Sequence, residues 1–124
     1  MNWPANDDEL LLLHNPRCSK SRALKSALEE RGASFREHLY LDEPLDADAL
    51  AELRRRLDLD VARMIRPKEA EYAAAGLGAD SDEATVLAAV AAHPKLLERP
   101  VLVRGQRAAL GRPGPETALA LLDG

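Results

Sequence analysis

Four consecutive leucines, Leu10 to Leu13, followed by His14, constrain this chain more than any other feature. An apolar run this short and this continuous reads as a strand covered on both faces, which requires a sheet with helices on either side. Just downstream, Arg22 to Arg31 puts Leu24, Ala27 and Leu28 on one helical face, and Gly32 stands where a helix stops. Ala33 to Tyr40 alternates loosely, with Phe35 and Leu39 framing Arg36 and His38, and reads as a second strand. Strand, helix and strand within roughly 30 residues make a βαβ unit with a right-handed crossover.

The middle of the chain breaks this rhythm. Asp46 can cap a helix carrying Leu50, Leu53 and Leu57. Val61 to Arg66 reads as a short helix stopped by Pro67, and Glu69 to Ala75 as another closed by Gly76. Asp80 to Glu83 opens a further helix that runs to His93-Pro94. Residues 46–93 are therefore expected to be wholly helical. Beyond them, Val101 to Val103 and Arg107 to Leu110 form two strands around Gly105, and Gly114-Pro115 opens a last helix with Ala118, Leu119 and Leu122 on one face. The expected fold is α/β, a thioredoxin-like four-stranded mixed sheet with a helical insertion at about 46–93. Residues 1–9 are expected to be a loose tail and 10–124 a single domain.

Two boundaries follow from composition. No apolar run approaches the roughly 20 residues that cross a membrane, and polar Met1 to Glu9 does not read as a secretory signal. With Lys+Arg at 17 against Asp+Glu at 21, the net charge of −4 speaks against nucleic acid as the main partner. The three histidines His14, His38 and His93 lack ligand spacing, so no metal is expected. One cysteine excludes an internal disulfide, in keeping with a cytoplasmic location. The Arg54-Arg55-Arg56 triplet is read as a solvated helix face.

That single cysteine, Cys18, lies between the first strand and the first helix. The first N–H groups of a helix have no intrahelical partner, and the helix dipole places partial positive charge there. A thiolate at such an end is stabilised, so its pKa should drop below the free value of about 8.5. Arg17, Lys20 and Arg22 add positive charge, whereas a core cysteine would have apolar neighbours. An oxyanion is favoured at the same place for the same reason.

Three arginines precede prolines at the ends of elements, in Arg66-Pro67, Arg99-Pro100 and Arg112-Pro113. Element ends present side chains to clefts, and several guanidinium forks together neutralise a tetrahedral oxyanion. Pro100 stands before the third strand, where a fold of this layout carries a cis proline facing the reactive cysteine.

Taken together, His14-Asn15-Pro16-Arg17-Cys18-Ser19-Lys20-Ser21-Arg22, Met64-Ile65-Arg66 with Tyr72 after it, His93-Pro94, Glu98-Arg99-Pro100-Val101 and Gly111-Arg112-Pro113 resemble the glutaredoxin-dependent arsenate reductase family. The resemblance runs in order from about Leu10 to Leu122. It implies that Cys18 is the nucleophile that attacks arsenate, that Arg66, Arg99 and Arg112 hold the oxyanion, and that His14 helps set the thiolate's reactivity. Asn15, Ser21 and Pro100 fall among the supporting residues. It further implies glutathione as co-substrate, with no tightly bound cofactor, glutaredoxin as partner, and a monomer. A lone thiol agrees with this, because finishing a two-electron reduction then needs an external thiol. The chain departs from the best-known members in carrying Ser19-Lys20 where they have Gly-Thr, which bears on efficient arsenate turnover. The different class to weigh is the Spx-like regulators, which share the fold and bind RNA polymerase. They carry a Cys-x-x-Cys switch, and Ser21 occupies its second position here. A thiol oxidoreductase acting on another substrate is the remaining alternative.

Overall fold

The computed structural model describes residues 1–123. Strand β1 (Leu10–His14) is followed by helix α1 (Ser19–Glu30) and strand β2 (Arg36–Leu39). Helices α2 (Ala47–Leu57), α3 (Ala70–Ala74) and α4 (Glu83–Ala92) come next, with 3-10 turns at Val61–Met64 and Pro94–Leu96. Strands β3 (Val101–Arg104) and β4 (Arg107–Leu110), helix α5 (Pro115–Leu119) and a last 3-10 turn at Ala120–Asp123 complete the order. The sheet runs β2-β1-β3-β4, with β1 parallel to β2 and antiparallel to β3, and β3 antiparallel to β4.

The leucine run works because strand side chains alternate between faces. Leu10 and Leu12 join Leu24, Leu28, Leu102 and Ala118 under α1 and α5. Leu11 and Leu13 face the other way, into the larger cluster with Tyr40, Leu50, Leu53, Val86 and Val90 beneath α2 and α4. Every residue of β1 is buried. Local signals set the helix boundaries. Asp46 and Asp82 accept from Ala49 N and Thr85 N at 2.8 Å each, and Gly32 adopts φ 68° just past α1. Among the described residues no helix is long and apolar enough to cross a membrane.

Four expectations need correction. The second strand was expected over Ala33 to Tyr40, but only Arg36–Leu39 pairs. Ala33 N is taken by Leu28 O at the end of α1, and Leu39 O accepts from Asp42 and Glu43 in a turn. The insertion is not wholly helical, because Ile65 is extended and forms an isolated antiparallel bridge with Leu97. The Arg54-Arg55-Arg56 triplet is not simply a solvated face. Arg56 is buried and donates to Glu52 Oε1 at 2.8 Å, to Pro4 O at 3.1 Å and to Gly105 O, with its guanidinium 5.1 Å from the Trp3 ring.

The start of the chain is likewise not a loose tail. Trp3 packs on the main core, Pro4 is buried, and Asn2 O accepts from Arg36. Asp7 O accepts from Arg104 at 2.9 Å. Asp7 also lies so close to Gly105, whose φ is 56°, that a Cβ there would meet Asp7 Oδ1 at 2.5 Å.

Candidate active site

Cys18 is the N-cap of α1, with extended backbone (φ −97°, ψ 124°). Its N–H donates to Asn15 O and its carbonyl accepts from Arg22 N, both at 3.0 Å, so the residue closes a turn and starts the helix together. Its side chain makes no cap hydrogen bond, so the first N–H groups of α1 stay free at this end of the helix. Burial opposes ionisation, since Cys18 is 8% exposed. The N–H groups of Ser21 and Lys20 and the charge of Arg99, close enough to hydrogen-bond the sulfur, outweigh it and hold the thiol below its ordinary pKa.

The segment before the cysteine is fixed by its own polar groups. Ser21 Oγ accepts from Asn15 N at 3.0 Å and forms a 2.7 Å hydrogen bond with His14 Nδ1. Asn15 Oδ1 accepts from Arg17 N at 3.0 Å, and Pro16 O accepts from Arg22 Nη1 at 2.9 Å. His14 is buried, which pushes its pKa down, while Glu37 opposes this and Lys25 and Arg22 add to it. At neutral pH the imidazole is therefore uncharged. Its Nδ1 is engaged with Ser21, so His14 supports the loop that carries Cys18 from behind.

The three arginines come together from distant parts of the chain. Arg66, Arg99 and Arg112 line one cavity of 270 Å³ together with Pro67, Lys68 and Glu98. Arg66 is placed by its N–H to Leu96 O at 2.8 Å, beside the Ile65–Leu97 bridge. Arg99-Pro100 and Arg112-Pro113 are both cis peptides, and Gly111 N donates to Pro100 O at 2.8 Å. Pro100 lies so close to Gly111 that a Cβ there would meet Pro100 Cγ at 2.6 Å. Of the three arginines, Arg99 is the one whose charge acts on the sulfur, and its Nε is buried without a hydrogen-bond partner.

Sequence reasoning passed over two residues here. Tyr40, at the end of β2, is buried and its hydroxyl is pushed up to about 12. Burial is the main cause and Cys18 adds to it, while Arg99, Arg66 and Asn15 oppose it. It is thus a neutral O–H in the field of Cys18 and the arginines. Its signal was scarcity, as one of only four aromatic residues (Trp3, Phe35, Tyr40, Tyr72). Glu98 is the other. Its Oε1 is 3.4 Å from Arg99 Nη1 and 3.8 Å from Arg112 Nε. Its signal was an acid inside an otherwise basic motif. A second acid, Glu69, pairs with Arg66 Nη2 at 2.6 Å. Among the described residues no group of three or more His, Cys, Asp and Glu is placed to hold a metal ion.

A cysteine whose pKa is lowered and a cationic cavity thus share Arg99, an arrangement with the chemistry to bind a small oxyanion beside a sulfur. The sequence model of the ArsC family matches residues 13–119. The chain is similar to the arsenate reductase of Neisseria meningitidis serogroup A, 46% identical over 107 residues that cover 85% of this chain and 92% of that protein. It is 36% identical to the arsenate reductase of Haemophilus influenzae over 115 residues, covering 91% of this chain and 98% of that one. The solved structure of an arsenate reductase from Vibrio cholerae superposes with a TM-score of 0.86 at 35% identity, covering 97% and 99% of the two chains.

Proposed function

The chain belongs to the ArsC family, and on that premise we propose that it is an oxidoreductase that reduces arsenate to arsenite through Cys18, with glutathione and glutaredoxin as reductants. The observation that supports this most is that the Cys18 thiolate and the Arg66–Arg99–Arg112 cavity are joined through one guanidinium, that of Arg99.

The chemistry is written from these residues. Arsenate enters the cavity, and the forks of Arg66, Arg99 and Arg112 neutralise its oxygens and hold the arsenic against the sulfur. The Cys18 thiolate forms an S–As bond, and an arsenate oxygen leaves, protonated, as water. The thiol of glutathione then supplies the second sulfur. Two electrons pass to arsenic, a Cys18–glutathione disulfide forms, and arsenite departs. Arsenate, two thiols and a proton thus give arsenite, one disulfide and water. No second cysteine exists in the chain to resolve the mixed disulfide, so an external dithiol or thiol such as glutaredoxin must do so. Stable positive charge at the start of α1 also makes the Cys18 sulfur a good leaving group in that final exchange.

The test is NADPH consumption coupled through glutathione reductase, glutathione and glutaredoxin. The wild type should consume NADPH only when arsenate is present, and Cys18→Ser should not consume it at all. A wild type without arsenate-dependent turnover overturns the reading.

A further inference from the structure

We propose that Glu98 is a specificity-determining residue of this oxyanion cavity, selecting tetrahedral anions that carry a proton over those that carry none. The inference rests on the oxyanion reading above and adds a second criterion to it, the protonation of the ligand.

The cavity of Arg66, Pro67, Lys68, Glu98, Arg99 and Arg112 would suit an anion of any kind by its cations alone. Glu98 breaks that uniformity. Its Oε1 accepts from Arg99 N at 3.2 Å and lies 3.4 Å from Arg99 Nη1 and 3.8 Å from Arg112 Nε. It also lines the adjoining groove of Lys20, Arg63 and Arg112, so it stands where the two spaces meet. The carboxylate is held in place by its own backbone. Glu98 N donates to Met64 O at 2.6 Å, directly after the Ile65–Leu97 bridge. The side chain is 21% exposed, enough to meet a ligand and too little to swing away into solvent without loss.

A carboxylate accepts hydrogen bonds and donates none. Beside a bound oxyanion it therefore distinguishes two classes. Arsenate and phosphate keep at least one O–H at neutral pH, and that hydroxyl can donate to Glu98 while the bare oxygens face the guanidinium groups. Sulfate has no proton. Any oxygen it turns toward Glu98 meets like charge with no hydrogen bond, a repulsive element that excludes the wrong ligand. Sites that bond a substrate hydroxyl discriminate strongly against an analogue that lacks it. A mere counter-ion to the arginines would behave differently, since it would weaken all anions alike.

The experiment is calorimetric titration with arsenate, phosphate and sulfate at one neutral pH and one ionic strength, for wild type, Glu98→Gln and Glu98→Asp. The wild type should bind arsenate and phosphate in preference to sulfate. In Glu98→Gln the amide can donate to a bare oxygen, so the preference should fall by at least about tenfold, mainly through tighter sulfate binding. Glu98→Asp should keep its direction. A wild type indifferent between arsenate and sulfate overturns the inference without needing either variant to fold. So does a Glu98→Gln protein whose affinities all rise together at an unchanged ratio. A wild type that discriminates as expected but never reduces arsenate leaves the inference standing and removes the proposed reaction. One that reduces arsenate without discriminating does the reverse.

Discussion

Arg56 and Arg99 are both arginines held largely away from solvent, and they stand in opposite situations. The Arg56 side chain is 6% exposed and bonded through both Nε and Nη1. Glu52, Pro4 O and Gly105 O take its protons, and Trp3 covers its face. The Arg99 side chain is 15% exposed, with Nε unpartnered and Nη1 on a long 3.4 Å contact to Glu98. The first ties the start of the chain, α2 and the β3–β4 turn into one unit. The second keeps hydrogen-bonding capacity in reserve beside a thiol. The difference teaches that a buried arginine is read by its buried nitrogens: a bonded Nε, as in Arg56, marks structure, and an unpartnered one, as in Arg99, marks a place for a ligand.

This contrast can be broken in several ways. The largest effect on stability should come from Arg56→Ala, which leaves the Pro4 and Gly105 carbonyls without their partner and Glu52 with Arg55 alone. Unfolding in urea should show a loss of about 3 kcal/mol, the lower end of the range for breaking a buried ionic contact, because Glu52 is 29% exposed. If Arg56→Ala unfolds like the wild type, the clamp is ornamental.

Arg99→Ala should do the converse. Arsenate affinity should fall by about 1.5–3 kcal/mol, the range for a hydrogen bond to a charged group, with the unfolding midpoint nearly unchanged. Calorimetric titration and urea unfolding of the same variant would check both halves. The contrast fails if stability drops and affinity does not.

The thiol sharpens the comparison. Alkylation of Cys18 against pH should show a midpoint below that of a free thiol, since burial is outweighed by the Ser21 and Lys20 N–H groups and Arg99. Arg99→Ala should move that midpoint up, and a folded Arg56→Lys should leave it in place. Equal midpoints in wild type and Arg99→Ala would remove Arg99 from the sulfur's environment.

The smallest effect concerns Glu52, whose carboxyl is held at about 2 by hydrogen bonding and charge, from Arg55 first and then Arg56, with burial opposing. A carboxyl depressed in the folded state binds its proton more readily in the unfolded chain. Its contribution to stability is therefore present above the usual carboxylate pKa of about 4.3 and is lost as pH falls toward 2. Acid titration of stability should be shallower in Glu52→Gln than in wild type over that window. Identical curves would show that the pair adds nothing measurable.

Much of the fold was legible because it is encoded by neighbours. The leucine run, the aspartate caps at Asp46 and Asp82 and the glycine past α1 act over a few residues, and each led to the element that forms. The thiol's position was legible for the same reason, since a strand end, a proline and a helix start lie within nine residues from His14 to Arg22. The three Arg-Pro steps could be singled out one by one, and their meeting was expected only through the family resemblance, not from any local signal. That meeting depends on the sheet order β2-β1-β3-β4 and on the Ile65–Leu97 bridge, which bring residues far apart in the chain side by side.

What the sequence by itself determined is therefore the α/β pattern, the helix boundaries and a lone cysteine at a positive helix end, all products of short-range backbone geometry and alternation. What only the tertiary structure decided is which charges meet. Within Arg54-Arg55-Arg56 the three side chains are chemically identical, and only packing against Trp3, Pro4 and Gly105 selects Arg56 for burial. Likewise Glu98, which pairs with its neighbour Arg99 locally, reaches Arg112 only once β3 and the loop after β4 are side by side. Electrostatic pairing depends on distance in space, and distance in space is set by the packed core rather than by the order of residues.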